Sequence, residues 1–449
     1  MSRLETMLQH FEKEKDWSEP RIAEGIEKNR KTNVILEIVD ESGAPVSGVK
    51  VRYNLKRHSF LHGTHLFMLD ELETPEKNEA FKQYFLGIAN HATLPFFWAD
   101  LEPEPGKPRF EKGSPRIYRR PAIDLCMEFC EKHQITPRLH CLNYDQWTPV
   151  WVDPHNIPEI KRLLEKRFKE IAERYADKIP GIEVINETLL FQVENEIRHS
   201  TDFFWEDDLI TWSFQTARKY FKHNELLINE CTPFAWDVQR GIRSAYAQLI
   251  DASLRRGAEI DAIALQFHMF HRLENEERDS LPYFDPKRLF AVMDFYQKAF
   301  GLPLQVCEIT LPCYSDSAED EELQARLIEN LYSIWFSHPA IEQILYWNIL
   351  DGYAAFAPLG DMSAGENYYH SGLVRFDMTP KPGYIMLKEL FEHRWHSEGV
   401  AVSDDRGLAC FRGFKGDYEI VLEKNGHPIK TTCKTDENLK KLTLASERS

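Results

Sequence analysis

Apolar and polar residues follow two alternating patterns between positions 59 and 396. Short apolar runs rich in β-branched residues predict buried strands, at 59–67, 91–98, 137–143, 181–187, 225–230, 262–268, 303–310 and 343–349. Amphipathic stretches with a helical period follow them, near 74–87, 119–133, 157–176, 207–222, 236–256, 286–300, 319–337 and 383–394. Eight strand-and-helix units predict an α/β fold, a closed (β/α)8 TIM barrel.

An open, doubly wound sheet is the alternative arrangement of the same units. No Gly-x-Gly-x-x-Gly or Walker pattern follows any of the eight runs. The nucleotide-binding version of the open sheet is therefore disfavoured.

The two ends of the chain have a different pattern. Residues 1–31 are charged and helical in period, and Ser18-Glu-Pro20 is expected to break the helix. Residues 33–55 alternate apolar and polar positions around a turn at Gly43, which predicts a β-hairpin. Alternation returns after Ser397. Because chain termini often lie close together, we expect both ends to form one small β-sandwich.

This pattern divides the chain into three parts. Residues 1–57 hold the helix and hairpin, 58–396 the catalytic barrel, and 397–449 the C-terminal strands. The first and third parts together would make the accessory sandwich.

The composition and net charge of the chain disfavour some classes of binding partner. The formal charge is −17, which argues against nucleic acid and anionic membranes as partners. No apolar run is long enough for a membrane span. The first residues, Met1-Ser-Arg-Leu-Glu-Thr6, lack the apolar core of a signal peptide, so a cytoplasmic protein is expected. A signal peptide removed before this sequence began would instead indicate a secreted or periplasmic protein.

Eight cysteines in 449 residues do not indicate a disulfide framework. Three of them lie near predicted strand ends, Cys141, Cys231 and Cys307. We expect reduced thiols there.

Polar side chains gather at the C-terminal ends of six successive predicted strands. They are His140, Asn186, Glu187, Asn229, Glu230, Gln266, His268, Glu308, Trp347 and Asp351. Any one of them is more often structural than functional. In a barrel, however, these strand ends meet at one rim, where unpaired polar groups would be costly. Two carboxylates facing each other, Glu187 and Glu308, are the groups that glycoside hydrolysis uses.

The ordered set of motifs resembles glycoside hydrolase family 10, the endo-β-1,4-xylanase family, over roughly residues 58–395. The similar segments are His140-Cys-Leu-Asn-Tyr-Asp145, Ile182-Glu-Val-Ile-Asn-Glu187, Ala264-Leu-Gln-Phe-His268, Val306-Cys-Glu-Ile-Thr310, Trp347-Asn-Ile-Leu-Asp351 and Pro380-Lys-Pro-Gly-Tyr384. The segment before the barrel, Asp40-Glu-Ser-Gly-Ala-Pro-Val-Ser-Gly48, resembles plant-type members.

The resemblance implies a role for each matching position. Glu187 would be the general acid/base and Glu308 the nucleophile of a retaining hydrolase, with carboxyl groups about 5–5.5 Å apart. His268 would hold Glu308 ionised, and Asn186 would bind the sugar 2-hydroxyl. The remaining positions would bind substrate or support the carboxylates, namely His140, Gln266, Trp347, Trp98, Tyr144 and Asn229. The resemblance implies a carbohydrate substrate and neither a cofactor nor a metal.

Some positions depart from the family pattern. Leu94 and Phe97 stand where the family has Asn and Lys, and Tyr144 replaces a Trp. Because the Asn and Lys hold sugars on the non-reducing side, we expect weaker polar binding there. The substrate is then xylan, a xylo-oligosaccharide, or another or decorated β-glycoside.

Two other functions fit parts of the sequence. A metal-dependent barrel hydrolase could use imidazoles from His62, His65, His268 and His271. A sugar-binding barrel without catalysis is the other alternative, although the presence of both glutamates argues against it.

Overall fold

The structure, a computed structural model, describes residues 1–190, 198–237, 240–424, 427–435 and 440–443. Its centre is a closed barrel of eight parallel strands. In chain order these are β1 Leu61–His65, β2 His91–Pro95, β3 Thr136–His140, β4 Gly181–Asn186, β5 Glu225–Glu230, β6 Ala262–His268, β7 Leu304–Thr310 and β8 Ile341–Tyr346. Each lies within or overlaps a predicted strand, and β8 pairs with β1 to close the barrel. The predicted (β/α)8 fold is confirmed.

Long helices follow the strands, at Pro75–Leu86, Ile123–His133, Ile157–Tyr175, Leu209–Tyr220, Ala245–Arg255, Pro286–Phe300, Ala318–Ser337 and Pro382–Lys388, the last continuing as a π-helix over Glu389–Arg394. Several begin at a side-chain cap: Thr74, Asn156, Asp285 and Ser317 each accept a backbone N–H of the first turn. The helix predicted from 236 begins only at Ala245, because a short helix and a 3₁₀ turn come first.

Short elements shape the loops at the C-terminal rim. The short α-helices are Trp98–Leu101, Thr232–Ala235 and Glu276–Asp279. The 3₁₀ turns are Asp145–Trp147, Asp202–Trp205, Gly241–Arg243, Leu273–Asn275, Leu281–Phe284 and Gly365–Tyr369. Thr148–Pro149 and Arg198–His199 pair antiparallel above β3 and β4.

The N-terminal segment forms two helices, Arg3–Lys13 and Lys15–Asn29. The predicted break at Ser18–Pro20 is wrong, because the helices divide at Glu14 and Pro20 lies inside the second helix. A proline near a helix start removes one backbone hydrogen bond, which this exposed position tolerates.

Two β-sheets from both ends of the chain form the accessory unit. One sheet joins Lys31–Val39 to Leu408–Phe414 and Lys440–Thr443. The other sheet has the order Glu398–Val402, Lys50–His58, Gly416–Lys424, His427–Lys434. The N-terminal hairpin prediction is wrong, since its two strands lie in different sheets and pair with C-terminal strands.

The two sheets share an aromatic core. The ring of Tyr53 stacks on Phe411 with centroids 3.9 Å apart, and Tyr418 packs against both. These contacts join strands far apart in sequence, so the predicted composite sandwich is confirmed. The domain boundaries at 57/58 and 396/397 stay predictions.

Among the residues that the structure describes, no disulfide joins any of the eight cysteines, and seven of the eight are buried. Within the described part of the chain, no helix combines the length and the apolarity needed to cross a membrane.

Candidate active site

The two glutamates occupy unusual backbone positions. Glu187, the residue after β4, has φ 51°, and Glu308 within β7 has φ 56°. Left-handed backbone at a non-glycine residue costs roughly 1–3 kcal/mol and is common at functional sites. Cys307 pairs with Gln266 and Ile309 with Phe267, so Glu308 is the extra residue of a β-bulge. A bulge re-aims the side chain it carries.

Gln266 on β6 connects the two carboxyl groups. Its Nε2 lies 2.9 Å from Oε1 of Glu187 and 3.4 Å from Oε1 of Glu308. The sum of these distances bounds the separation of the two oxygens at 6.3 Å. An inverting enzyme needs carboxyl groups about 6.5–9.5 Å apart, whereas about 5–5.5 Å suits a retaining one. The distance between the two carboxylate oxygens therefore fits a retaining mechanism, in which one glutamate attacks the sugar directly.

The surroundings of Glu187 favour its protonated form. Burial, followed by the charge of Glu308, raises the pKa of Glu187. Hydrogen bonds from Tyr144 Oη and Gln266 oppose this rise in the pKa. Gln146 donates to the same carboxylate at 3.2 Å and to Tyr144 Oη at 2.5 Å. Glu187 is thus suited to donate a proton.

Glu308 has the opposite electrostatic environment. Burial opposes its ionisation, but His140, His268 and Arg138 outweigh burial and hold the pKa of Glu308 well below its usual range. Asn229 donates to Glu308 at 2.6 Å, and His268 Nε2 lies 3.4 Å away. Glu308 is therefore held in its ionised form at neutral pH, the form that a nucleophile needs.

Glu183 is a further buried carboxylate, and it holds the residues around Glu308 in place. Glu183 accepts hydrogen bonds from Arg138 at 2.6 Å and from Asn229 at 3.2 Å, and it pairs with His140 Nδ1 at 2.9 Å. Charge attraction to Glu183 and Glu308 exceeds the effect of burial and raises the pKa of His140. The peptide bond from His140 to Cys141 is cis.

Glu230 at the end of β5 anchors the backbone next to the acid. Its carboxylate accepts the N–H groups of Thr188 at 2.9 Å and Leu189 at 3.1 Å. Burial raises the pKa of Glu230 to about 7. Its role is to hold the chain that follows Glu187.

The cleft above these residues has a volume of about 530 Å³. Predicted residues that line it are His140, Tyr144, Asn186, Glu187, Gln266, His268, Glu308 and Trp347. Asn229 is buried beneath the cleft and reaches it through Glu308.

Trp98 lies outside this group. Its indole is buried, donates to Glu102 at 3.0 Å and packs edge-on against Trp151. Trp98 is not among the described residues that line the cleft. In this structure it braces a loop, because its N–H is already used by a carboxylate.

The imidazoles of the metal hypothesis do not converge. His62 hydrogen-bonds the carbonyl of Ile88, and His271 hydrogen-bonds Ser280. Among the described residues, the group that brings metal-ligand atoms together is His140, Cys141 and Glu183. Because Arg138 donates to Glu183, a guanidinium already supplies the positive charge there.

Several residues of the cleft were not predicted from the sequence. They are Phe67, Arg119, Arg120, Gln146, Arg198 and Glu366, among others. All lie in segments that follow the barrel strands, some of them in short 3₁₀ turns or in the two-residue strand Arg198–His199, and the apolar pattern does not show that their side chains face the cleft. The Arg119-Arg120 pair before a proline was the one visible sign.

Comparison with known proteins places the chain among carbohydrate-active proteins. The sequence profile of glycosyl hydrolase family 10 matches residues 100–387. Endo-1,4-beta-xylanase 2 of Arabidopsis thaliana is 23% identical over 403 residues, which are 88% of this chain and 32% of that protein. Anti-sigma-I factor RsgI6 of Acetivibrio thermocellus is 23% identical over 413 residues, 90% of this chain and 46% of that protein.

A solved structure has the same fold. Xylanase 10B from Thermotoga petrophila, in complex with xylobiose, superposes with a TM-score of 0.56 at 18% identity, over 75% of this chain and 95% of that chain. The chain spans less than half the length of the two curated relatives above. Because the profile covers more than half of the sequence, the chain belongs to glycosyl hydrolase family 10.

Proposed function

We propose that the chain is a retaining glycoside hydrolase that cleaves β-1,4-linked xylan or xylo-oligosaccharides. The observation that carries the proposal is one pair of glutamates with opposite pKa shifts and carboxylate oxygens no more than 6.3 Å apart, the sum of 2.9 and 3.4 Å. Two carboxyl groups whose surroundings move their pKa values apart are suited to acid and nucleophile roles.

In the first step a carboxylate oxygen of Glu308 bonds to the anomeric carbon. The bond from that carbon to the leaving oxygen breaks, and the electron pair stays on the oxygen. Glu187 gives its proton to this oxygen, which departs as a sugar hydroxyl. The product is a glycosyl ester on Glu308 and an ionised Glu187.

In the second step Glu187 works as a base. The ester has removed the charge of Glu308, so the pKa of Glu187 falls. Glu187 takes a proton from water, the water oxygen bonds to the anomeric carbon, and the ester bond breaks. Two displacements on one carbon retain its configuration.

Xylan is proposed as the substrate from the relatives, several of which bear the name endo-1,4-beta-xylanase. Asn186 and Gln266 stand beside the glutamates as donors and acceptors for sugar hydroxyls. Phe97 and Leu94 cannot make hydroxyl hydrogen bonds, which favours a decorated or different β-glycoside as the alternative substrate.

The test is the stereochemistry and mutant kinetics of hydrolysis. Proton NMR of xylotetraose hydrolysis should show the β-anomer first. Glu308→Ala should abolish turnover, and azide should restore an α-glycosyl azide product. Glu187→Ala should lose about 10²–10⁴-fold on xylotetraose but little on an aryl xylobioside, whose leaving group needs no proton.

Glu274→Ala, a change at an exposed glutamate, is the control and should keep wild-type activity. An α-anomer from the wild-type protein would rule out the retaining mechanism. Tight binding of xylotetraose without hydrolysis would instead identify a sugar-binding barrel.

A further inference from the structure

One side of the cleft carries three buried arginines, Arg119, Arg120 and Arg198. We call them the arginine cluster. Each is more than nine-tenths buried, and all three line the cleft. The whole chain has a formal charge of −17, so a concentration of positive charge here runs against the average of the molecule.

The cluster has few acidic partners. Arg120 pairs with Asp100 at 2.6 Å. Within the described ranges, neither Arg119 nor Arg198 has a carboxylate within 4.0 Å. Glu366 lines the cleft and attracts Arg119 electrostatically, but the two side chains do not form a direct ion pair. Buried charge without a partner is costly unless a ligand compensates it.

Aromatic rings hold the guanidinium groups in place. Arg198 lies 3.9 Å from the ring centroid of Trp147, and Arg120 lies 5.0 Å from the same ring. Arg120 also lies 4.0 Å from the ring of Phe97. A guanidinium group that stacks face-on on an aromatic ring still presents the N–H groups along its edge, which can form bidentate hydrogen bonds. Apolar walls also strengthen the field that such cations exert on a bound anion.

Hydrogen bonds within the protein use only part of the cluster's donors. Arg119 donates to the carbonyl of Tyr353 and to Asn348, but its Nε has no hydrogen-bond partner among the residues that the structure describes. Within the same residues, the Nε of Arg198 also has no hydrogen-bond partner. Burial lowers the pKa of Arg119 to about 10 and also lowers that of Arg198, as expected for uncompensated cations.

The cluster is close to the reacting groups. Tyr144, which donates to Glu187, and Glu187 itself both act electrostatically on Arg198. One member of the cluster, Arg120, also lies 4.0 Å from the ring of Phe97, the position where the family has a lysine. A sugar chain that reaches Glu187 and Glu308 would therefore pass the arginines.

We propose that the arginine cluster binds a carboxylate on the substrate, so that the preferred glycan carries a uronic acid. This inference rests on the proposed function, because it assigns the substrate of the same cleft. A carboxylate matches the planar fork of a guanidinium and replaces the missing acidic partner. Since no carboxylate of the described residues pairs directly with Arg119 or Arg198, a neutral xylan would leave these two buried cations without a close counter-ion from that part of the chain.

The test uses matched substrates that differ in one group. Xylo-oligosaccharides with a glucuronic acid branch are compared with the same oligosaccharides after reduction of the carboxyl to a hydroxymethyl group. We expect wild-type kcat/KM to be at least about tenfold higher for the acidic substrate, the size of one charged hydrogen bond. Equal or faster turnover of the reduced substrate would overturn the inference and leave the proposed function intact.

Substitutions of the arginines test whether they cause the preference for the acidic substrate. Arg198→Gln and Arg119→Gln should bring the two substrates to within about twofold of each other, chiefly through KM. Arg198→Lys keeps the charge without the fork and should retain part of the preference. Arg278→Gln, at an exposed arginine, should leave the preference unchanged. A preference that survives both glutamine variants in folded protein would also overturn the inference.

Binding to Glu308→Gln, measured by calorimetry, separates this inference from the proposed function. If the wild-type protein hydrolyses neither oligosaccharide but Glu308→Gln binds the acidic one more tightly, the hydrolase proposal fails and the anion site stands. Equal affinities would reject the site. A sulfated oligosaccharide that is turned over faster than the glucuronate would reject the choice of carboxylate.

Discussion

At the scale of single residues, the two glutamates differ because of their neighbours and not because of their own chemistry. Both are buried, and burial alone raises the pKa of a carboxyl group. Glu308 is surrounded by His140, His268 and Arg138, whereas Glu187 has only neutral donors. The same type of side chain is therefore suited to act as nucleophile in one place and as acid in the other.

A change at Tyr144 tests this difference. Its hydroxyl lowers the pKa of Glu187, so Tyr144→Phe should raise that pKa further. Activity on a substrate with a sugar leaving group needs protonated Glu187, hence the alkaline limb of the pH profile of kcat/KM should move to higher pH. A pH series from about 4 to 9 with xylotetraose, whose leaving group needs the proton of Glu187, measures it.

Tyr220→Phe is the control for this change. Its hydroxyl donates to Glu165 on the outer face of the barrel, so its profile should match that of the wild type. A move of the alkaline limb to lower pH in Tyr144→Phe would contradict our assignment of that limb to Glu187.

Position 97 shows why a single substitution cannot be judged alone. Phe97 replaces the family's lysine, yet the guanidinium of Arg120 lies 4.0 Å from its ring. A lysine at 97 would place a second cation beside Arg120, which like-charge repulsion disfavours. The missing lysine just after β2 is thus matched by the cation of Arg120, from another segment.

At the scale of elements, the first helix packs on the barrel through a buried apolar face, and Arg3 anchors its N-terminal end. Arg3 donates to Glu276, to Asp320 and to the carbonyls of Pro312 and Cys313. Ser2 and Glu5 form a capping box that starts the helix just before this anchor. The helix thereby covers the loop that follows β7, the strand of Glu308.

Removing this anchor should destabilise the protein. Arg3→Ala leaves the buried carboxylate of Glu276 and the partly buried carboxylate of Asp320 without this partner, which should reduce the free energy of unfolding by about 2 kcal/mol. Urea unfolding followed by circular dichroism measures this loss. Arg255→Ala, which breaks an exposed pair with Asp251, should produce no measurable change. Equal midpoints for both variants would contradict an anchoring role.

At the scale of the whole molecule, the sandwich ties the two ends of the chain together. The strand Lys50–His58 pairs with C-terminal strands and leads within three residues into β1. Arg57 at its end donates to Thr136 at the start of β3. The accessory unit is therefore connected to the bottom of the barrel, opposite the cleft.

The aromatic core of the sandwich should be essential to its stability. Phe411→Ala removes a buried ring stacked on Tyr53, which should cost about 3–5 kcal/mol. Thermal unfolding measures the change, and Val400→Ala, on an exposed strand position, is the control. Similar stability of both variants would show that the sheets do not share one core.

The sequence by itself determined the barrel and its two glutamates. The period of apolar residues marks each strand locally, and a strand that ends in Asn186-Glu187 carries its carboxylate to the rim in any closed barrel.

Only the tertiary structure decided which distant groups surround those carboxylates. Arg119 and Arg198 come from separate loops, and no local pattern records that they share a wall of the cleft. Likewise, the strands 31–39 and 50–58 alternate as a hairpin would, but pairing depends on partners some 370 residues away. The period of apolar residues is a local property of the sequence and indicates which face of a helix or strand is buried. Contacts between segments far apart in the sequence depend instead on how the folded elements pack together.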